Sequence, residues 1–200
     1  MKGDIYMAAG ILFVLFVAGG IYALNYLSPA TSPANATIET STSMGTFVLK
    51  STAFANGGSI PSRYTCDGDA TRSPPLTIWD PPKGTRSLVL IMDDPDVPKV
   101  VRPDAVFDHW VLFNISPGTT EIQEGGTIGT RGANSAGKNV YTGPCPPPQF
   151  QPPEHRYFFK LYALDTMLPL QAGASKSDVE KAMQGHVIES TELMGRYSRQ

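Results

Sequence analysis

Ser87-Leu88-Val89-Leu90-Ile91-Met92 is nearly continuous in apolar residues, and Asp93-Asp94-Pro95-Asp96-Val97-Pro98 follows it directly. A short apolar run bounded by turn-forming residues is typical of a strand that is buried on both faces. The second stretch is typical of a turn, because an Asp side chain bonds the backbone that follows it and Pro fixes φ. Together they predict a central strand that ends in an acidic turn.

Two longer stretches alternate between polar and apolar residues, which predicts two more strands. In Arg156–Leu164 one face carries Tyr157, Phe159, Leu161 and Ala163. Strict alternation divides Val106–Ile115 into a face with Phe107, His109, Val111, Phe113 and Ile115 and an opposite face with Asp108, Trp110, Leu112 and Asn114.

Shorter β-type runs, Thr46–Leu49 and Leu76–Trp79, lie between turns rich in Pro and Gly. Ser177-Asp178-Val179-Glu180 resembles a capping box, which predicts a helix from Ser177 to about Gln184 that ends at the following glycine. A short last strand or tail, Val187–Tyr197, follows this helix. The predicted fold is therefore mainly antiparallel β, a sandwich or a large sheet, with one late helix.

The N-terminal segment Ile5–Leu27 is almost wholly apolar and carries no charge. It has the roughly 20 residues that a helix needs to span a bilayer, and the preceding Lys2 favours an N-terminus inside. A cleaved signal peptide is the alternative, because Ala34-Asn35-Ala36 resembles a signal peptidase site. Both interpretations place the rest of the chain outside the cytoplasm, either membrane-anchored or secreted. We therefore expect an anchor (1–27), a flexible tether (28–46) and one folded domain (47–200).

The composition excludes some partners and leaves two roles open for the cysteines. The net charge is −2 and the basic residues are scattered, which argues against nucleic acid as a partner. Cys66 and Cys145 form an even pair outside the cytoplasm, which favours a disulfide. The alternative is a reactive Cys145 thiolate with His155 as its base, as in a Cys/His hydrolase.

Three segments contain polar residues that a hydrophobic core does not favour. They are the acidic turn after the central strand, Asp108-His109-Trp110, and Gly143–Pro148 together with Glu154–Tyr157. Each alone is explained by a turn, a stiff loop or a hydrogen-bonded core histidine. Together, two histidines and an acidic strand end predict a pocket for a small anion, in which aspartate orients the imidazoles and raises their pKa. The same side chains with Asp96 also suit a metal, although their spacing is not that of a metal motif.

These segments, in this order, resemble the phosphatidylethanolamine-binding protein family, also called Raf-kinase-inhibitor-like proteins, and most of all its bacterial and archaeal branch. The resemblance extends from about Phe47 to the C-terminus. The matching stretches are Ile60–Gly68, Ser73–Leu76, Asp94–Pro98, Asp108–Trp110, Gly132–Ser135, Tyr141–Pro147, His155–Tyr157, Leu161–Asp165, Gly185–Val187 and Gly195–Tyr197. The resemblance implies a large central antiparallel sheet, a smaller sheet packed on it, and few helices.

The resemblance also implies a shallow pocket, at one end of the sheet, that binds phosphate-type head groups. Carried over position by position, the pocket is lined by Asp94, Pro98, His109, Gly143, Pro144, His155 and Tyr157. Both histidines then donate to the anion, Asp94 holds a histidine in place, and Tyr157 supplies a hydroxyl. We therefore expect a membrane-tethered binding protein for a small phosphate-bearing ligand, not an enzyme, with no cofactor and no metal. A protein-interaction module, such as a protease inhibitor, is the alternative function.

Overall fold

The structure is a computed structural model that describes residues 46–199, and the statements below concern this part of the chain. The predicted anchor (1–27) lies outside the described residues, as does the predicted tether (28–46) except for its last residue. Within residues 46–199, no helix has both the length and the apolar character needed to cross a membrane.

The described chain forms two antiparallel sheets and one α-helix, which confirms the predicted mainly β architecture. The elements are β1 (Val48–Lys50), β2 (Leu76–Trp79), β3 (Ser87–Asp94), β4 (Phe107–Ile115), β5 (Glu121–Ile122), β6 (Thr130–Arg131), β7 (Glu154–Leu164), α1 (Lys176–Met183) and β8 (Val187–Ser198). The larger sheet has the strand order β6-β4-β3-β7-β8, and the smaller sheet has the order β1-β2-β5.

Strand β3 lies at the centre of the larger sheet, between β4 and β7, as predicted. All of its residues are buried. Leu88, Leu90 and Met92 belong to the core shared with the smaller sheet, whereas Val89 and Ile91 belong to the core under α1. Because both faces of β3 are covered, the residues that point to either face are apolar, which explains the uninterrupted hydrophobic run.

Strand β4 departs from strict alternation at two β-bulges. Met92 pairs with Trp110 but Asp93 pairs with Asp108, so His109 is an extra residue in β4. A second extra residue lies between Leu112 and Ile115. Each bulge shifts the alternation by one residue, so that side chains beyond it exchange faces.

The predicted faces of β4 are therefore right in the middle of the strand and wrong at both ends. Ile115 lies in the core between the sheets, and the ring of His109 contacts Tyr157 on that same side. Asp108 and Asn114 instead lie on the side of α1, where they contact Lys176 and the backbone of Leu168.

Helix α1 begins earlier than its sequence pattern indicates. Its capping box joins Ser175 and Asp178, because Ser175 Oγ accepts from Asp178 N at 3.2 Å and Asp178 Oδ2 accepts from Ser175 N at 3.1 Å. The predicted cap, Ser177, lies inside the helix. The predicted short tail after the helix is the 12-residue strand β8, which pairs with β7 along its length.

Candidate functional site

A cavity of about 330 Å³ lies where β3 ends and the acidic turn begins. Strand β3 supplies Asp94, the β4 bulge supplies His109, and the start of β7 supplies His155. The remaining residues that line the cavity come from two loops and the first residue of β4; they are Val97, Val101, Arg102, Phe107, Thr142, Gly143, Cys145, Pro146 and Pro147. The structure thus brings four predicted residues together: Asp94, His109, Gly143 and His155.

Asp94 and His155 form a buried pair at the base of the cavity. His155 Nδ1 lies 2.7 Å from Asp94 Oδ2, and both side chains are at least 96% buried. Asp94 Oδ1 accepts from the backbone N of Asp96 at 2.8 Å, so both carboxylate oxygens are engaged. A carboxylate oxygen only accepts, which places the His155 proton on Nδ1. The other ring nitrogen, Nε2, is buried and has no hydrogen-bond partner among the described residues.

His109 is fixed by the backbone of the neighbouring loop. Its Nδ1 lies 2.6 Å from the carbonyl oxygen of Thr142, and a carbonyl only accepts, so this nitrogen also carries the proton. Burial lowers the pKa of His109, although the Thr142 hydrogen bond and the charge of Asp94 oppose this effect. Loss of hydration outweighs the charge of Asp94, which does raise the pKa of His109 as expected, so only the expected net rise in pKa is wrong for this residue.

Tyr157 does not line the cavity but lies beneath both histidines. Its ring meets His109 edge to face at 5.2 Å and stacks on His155 at 6.5 Å between centroids. Burial, together with the charge of Asp94, raises the pKa of Tyr157, so it remains a neutral phenol. Its hydroxyl is buried without a hydrogen-bond partner in the described part of the chain. Tyr157 thus supports the two imidazoles from below.

The prolines predicted for the pocket act through the backbone. The carbonyl of Pro144 accepts from Cys66 N at 3.0 Å, and that of Pro98 accepts from Val101 N at 2.8 Å and Arg102 N at 3.0 Å. Pro98 thereby begins the turn that brings Val101 and Arg102 to the cavity. Gly143 is required because a Cβ there would lie 2.5 Å from the carbonyl oxygen of Tyr64.

Cys66 and Cys145 form a disulfide, as predicted, and Cys145 lines the cavity. The bond ties the loop after Tyr141 to the turn after Tyr64. In this state Cys145 has no thiolate, so the Cys/His hydrolase alternative lacks its nucleophile.

The acidic turn does not assemble a metal site within residues 46–199. No group of three or more His, Cys, Asp or Glu side chains there could hold a metal ion. Asp96 instead binds Arg156, with Oδ1 2.7 Å from Nη2 and Oδ2 2.9 Å from Nε.

Sequence reasoning missed most of the apolar lining. Val97 and Thr142 lie inside the motifs that carry the family resemblance, so their position gave a usable signal. Val101 and Arg102 lie in the loop between β3 and β4, where neither periodicity nor a motif marks them. Phe107 is the first residue of β4, and its place in the alternating run predicted only a strand face, not a cavity wall.

Comparison with known proteins decides the family. A family model described as phosphatidylethanolamine-binding protein matches residues 50–198. This chain belongs to the phosphatidylethanolamine-binding protein family. The resemblance drawn from its motifs is thereby confirmed.

Relatives and solved structures in this family match most of the chain. UPF0098 proteins of Methanothermobacter thermautotrophicus and Chlamydia pneumoniae are 49% and 47% identical over 161 and 152 residues, each covering 76% of this chain and 98% of the relative. A phosphatidylethanolamine-binding protein homologue from Chlamydia trachomatis is 44% identical, with a TM-score of 0.71 over 76% of this chain and 97% of its own. E. coli YbcL, described as a member of the mammalian family, is 25% identical, with a TM-score of 0.68 over 77% of this chain and 99% of its own.

Proposed function

We propose that this phosphatidylethanolamine-binding protein family member binds a phosphate-type anion in the cavity between His109 and His155. One observation carries the proposal. His155 is oriented by buried Asp94, lines the cavity, and has a buried Nε2 without a partner among the described residues. Buried polar atoms normally have a hydrogen-bond partner, so an unpartnered one beside a cavity supports a bound ligand.

Anion binding at this site is coupled to protons. Each imidazole uses its Nδ1–H inside the protein, His155 toward Asp94 and His109 toward Thr142. The remaining Nε2 of a neutral ring is an acceptor, and it donates only when the ring is protonated. A phosphate oxygen therefore requires either an imidazolium or a proton of its own, and phosphomonoesters carry one below their second pKa of about 6.

The walls of the cavity indicate an organic anion. Val97, Val101, Phe107 and the Pro146–Pro147 pair give it an apolar lining around the polar base. Arg102 adds a positive charge; its guanidinium pairs with Asp104 at 3.1 Å. This arrangement suits a phosphomonoester whose apolar substituent lies against the wall.

We further propose that the domain works outside the cytoplasm and is tethered to the membrane by residues 1–27. The disulfide supports an oxidising compartment, and the uncharged N-terminal stretch supports an anchor. Labelling of the domain by a membrane-impermeant reagent on intact cells, with recovery of the full-length chain in the membrane fraction, is the expected result. Recovery of the intact chain in the cytoplasmic fraction would contradict this location.

Calorimetric titration of the full-length protein with O-phosphorylethanolamine tests the binding proposal. We expect binding by the wild type and loss of binding in the His109→Ala, His155→Ala double variant. His186→Ala is a matched control, because His186 also bonds a carboxylate, Asp165 at 2.8 Å, but is half exposed and away from the cavity. Equal affinity in the wild type and the double variant would refute the proposed site.

A further inference from the structure

Behind the cavity, on the side of α1, two aspartates face each other across adjacent strands. Asp93 of β3 pairs directly with Asp108 of β4. Like charges directly opposite one another destabilise a sheet. Each is also the chain neighbour of a cavity residue, since Asp93 precedes Asp94 and Asp108 precedes His109. The pair therefore lies immediately behind the anion site but outside it.

Lys176, the first residue of α1, bridges the two carboxylates. Its Nζ lies 2.9 Å from Asp93 Oδ2 and 3.0 Å from Asp108 Oδ1, while Glu180 is more distant at 3.9 Å. Although burial opposes the charge of Lys176, the hydrogen bond to Asp93 and the negative charge of Asp108 raise its pKa, so it is positive at neutral pH. A second lysine, Lys160, contacts Asp93 at 2.9 Å but makes no ion pair with Asp108.

The backbone of Asp108 is fixed at the same time. Its N donates to Ser135 Oγ at 2.9 Å, and its carbonyl accepts from Ser135 N at 2.9 Å. The next residue is the extra one of the bulge, His109. Because the side chain and the backbone of Asp108 are both fixed, the backbone direction from Asp108 to His109 is fixed as well.

We propose that Lys176 is a positioning residue, which bridges the opposed Asp93 and Asp108 and so maintains the β4 bulge that turns His109 into the cavity. Its effect on anion affinity rests on the proposed function, whereas its effect on the geometry of His109 does not. Lys176, a partly buried residue of α1, thereby acts on the site at the opposite face of the sheet.

The test compares Lys176→Met with Lys160→Met, which removes a lysine from Asp93 only. Two quantities are measured: the NMR signal of the hydrogen-bonded Nδ1–H proton of His109 without ligand, and the affinity for sulfate. In Lys176→Met we expect the His109 signal to be lost and sulfate to bind about tenfold more weakly, as when outer-shell partners are removed at metal sites. The signal of His155 and both properties of Lys160→Met should stay at the wild-type level.

A rescue variant tests the same role if Lys176→Met does not fold. Lys176→Met combined with Asp108→Asn no longer places like charges opposite each other, so it should regain the His109 signal. Retention of that signal in folded Lys176→Met, or its loss in the folded double variant, would overturn the positioning role. If wild-type protein binds neither sulfate nor O-phosphorylethanolamine, the proposed function fails, but the His109 signal still decides the role of Lys176.

Discussion

His109 lies beside His155 because a single extra residue in β4 changes the face to which its side chain belongs. In a regular strand His109 would share the face of Val111 and Phe113, which is the face that packs under α1. The bulge therefore determines whether the two imidazoles can act on one ligand.

The protonation of His109 predicts how anion binding depends on pH. Burial lowers the pKa of His109 below its ordinary value of about 6.5, so its imidazolium forms only in more acidic solution. Sulfate brings no proton of its own in this range, and its binding therefore requires the charged ring. Sulfate affinity, measured by calorimetry, should be weak at about pH 8 and should rise as the pH falls below about 6.5. A constant affinity from about pH 5 to 9 would contradict this mechanism.

The Asp94–His155 pair predicts a stability difference between two similar substitutions. Asp94→Asn replaces two carboxylate oxygens by a single amide oxygen. The variant therefore loses either the hydrogen bond from Asp96 N or the hydrogen bond from His155 Nδ1. Because the pair is buried, we expect a loss of about 2 kcal/mol in the free energy of unfolding in urea. Asp165→Asn, which alters the exposed pair with His186, should change it little. Equal effects of the two substitutions would rule out a structural role for the buried pair.

For single residues, the sequence was a better guide to which side chains form the candidate site than to the positions of those side chains in the fold. Asp94, His109 and His155 follow from their residue types in three ordered motifs. The bulge at His109 could not be predicted, because it depends on pairing between strands rather than on the alternation within one. The lowered pKa of His109 could not be predicted either, since it results from burial by the loop that contains Thr142.

At the scale of secondary structure, α1 holds Lys176 in place through its capping box. Ser175→Ala removes the side-chain acceptor for Asp178 N and should cost about 1 kcal/mol of unfolding free energy. Ser177→Ala is the matched control, because Ser177 lies within the helix and caps nothing. A larger loss in Ser177→Ala than in Ser175→Ala, measured by urea denaturation, would mean that the helix begins where the sequence pattern alone predicts.

The loop that carries Thr142 and Cys145 is fixed to the domain by the disulfide. For a sequence separation of 79 between the cysteines, the chain-entropy model gives about 4.5 kcal/mol of stabilisation. Denatured but unreduced protein should show no free thiol with a thiol reagent, and reduction should lower the unfolding midpoint markedly. Two free thiols before reduction would contradict the bond.

Local patterns explain how far the elements could be predicted. The buried strand β3 was recognised because a strand covered on both faces is apolar throughout. The helix start was misplaced because Ser175 and Ser177 both offer a capping hydroxyl with an acid three residues later. Only the hydrogen bonds of the folded chain distinguish Asp178 from Glu180 as the partner.

For the whole molecule, the order and spacing of many short motifs predicted more than any single strand or site residue. They indicated two sheets and the family, and the matches to residues 50–198 and to the solved relatives confirm both. The apolar lining from the β3–β4 loop could not be predicted, because its position follows from tertiary packing rather than from a local pattern.

In the proposed site, His109 and His155 receive one anion from the same side. The decisive test is a crystal structure of the protein grown with saturating inorganic phosphate at about pH 5, because the lowered pKa of His109 lets its imidazolium form only in acidic solution. We predict one phosphate in the cavity with oxygens within about 3 Å of Nε2 of both histidines. A cavity that holds only water under these conditions, or a phosphate bound to neither ring, would contradict the claim.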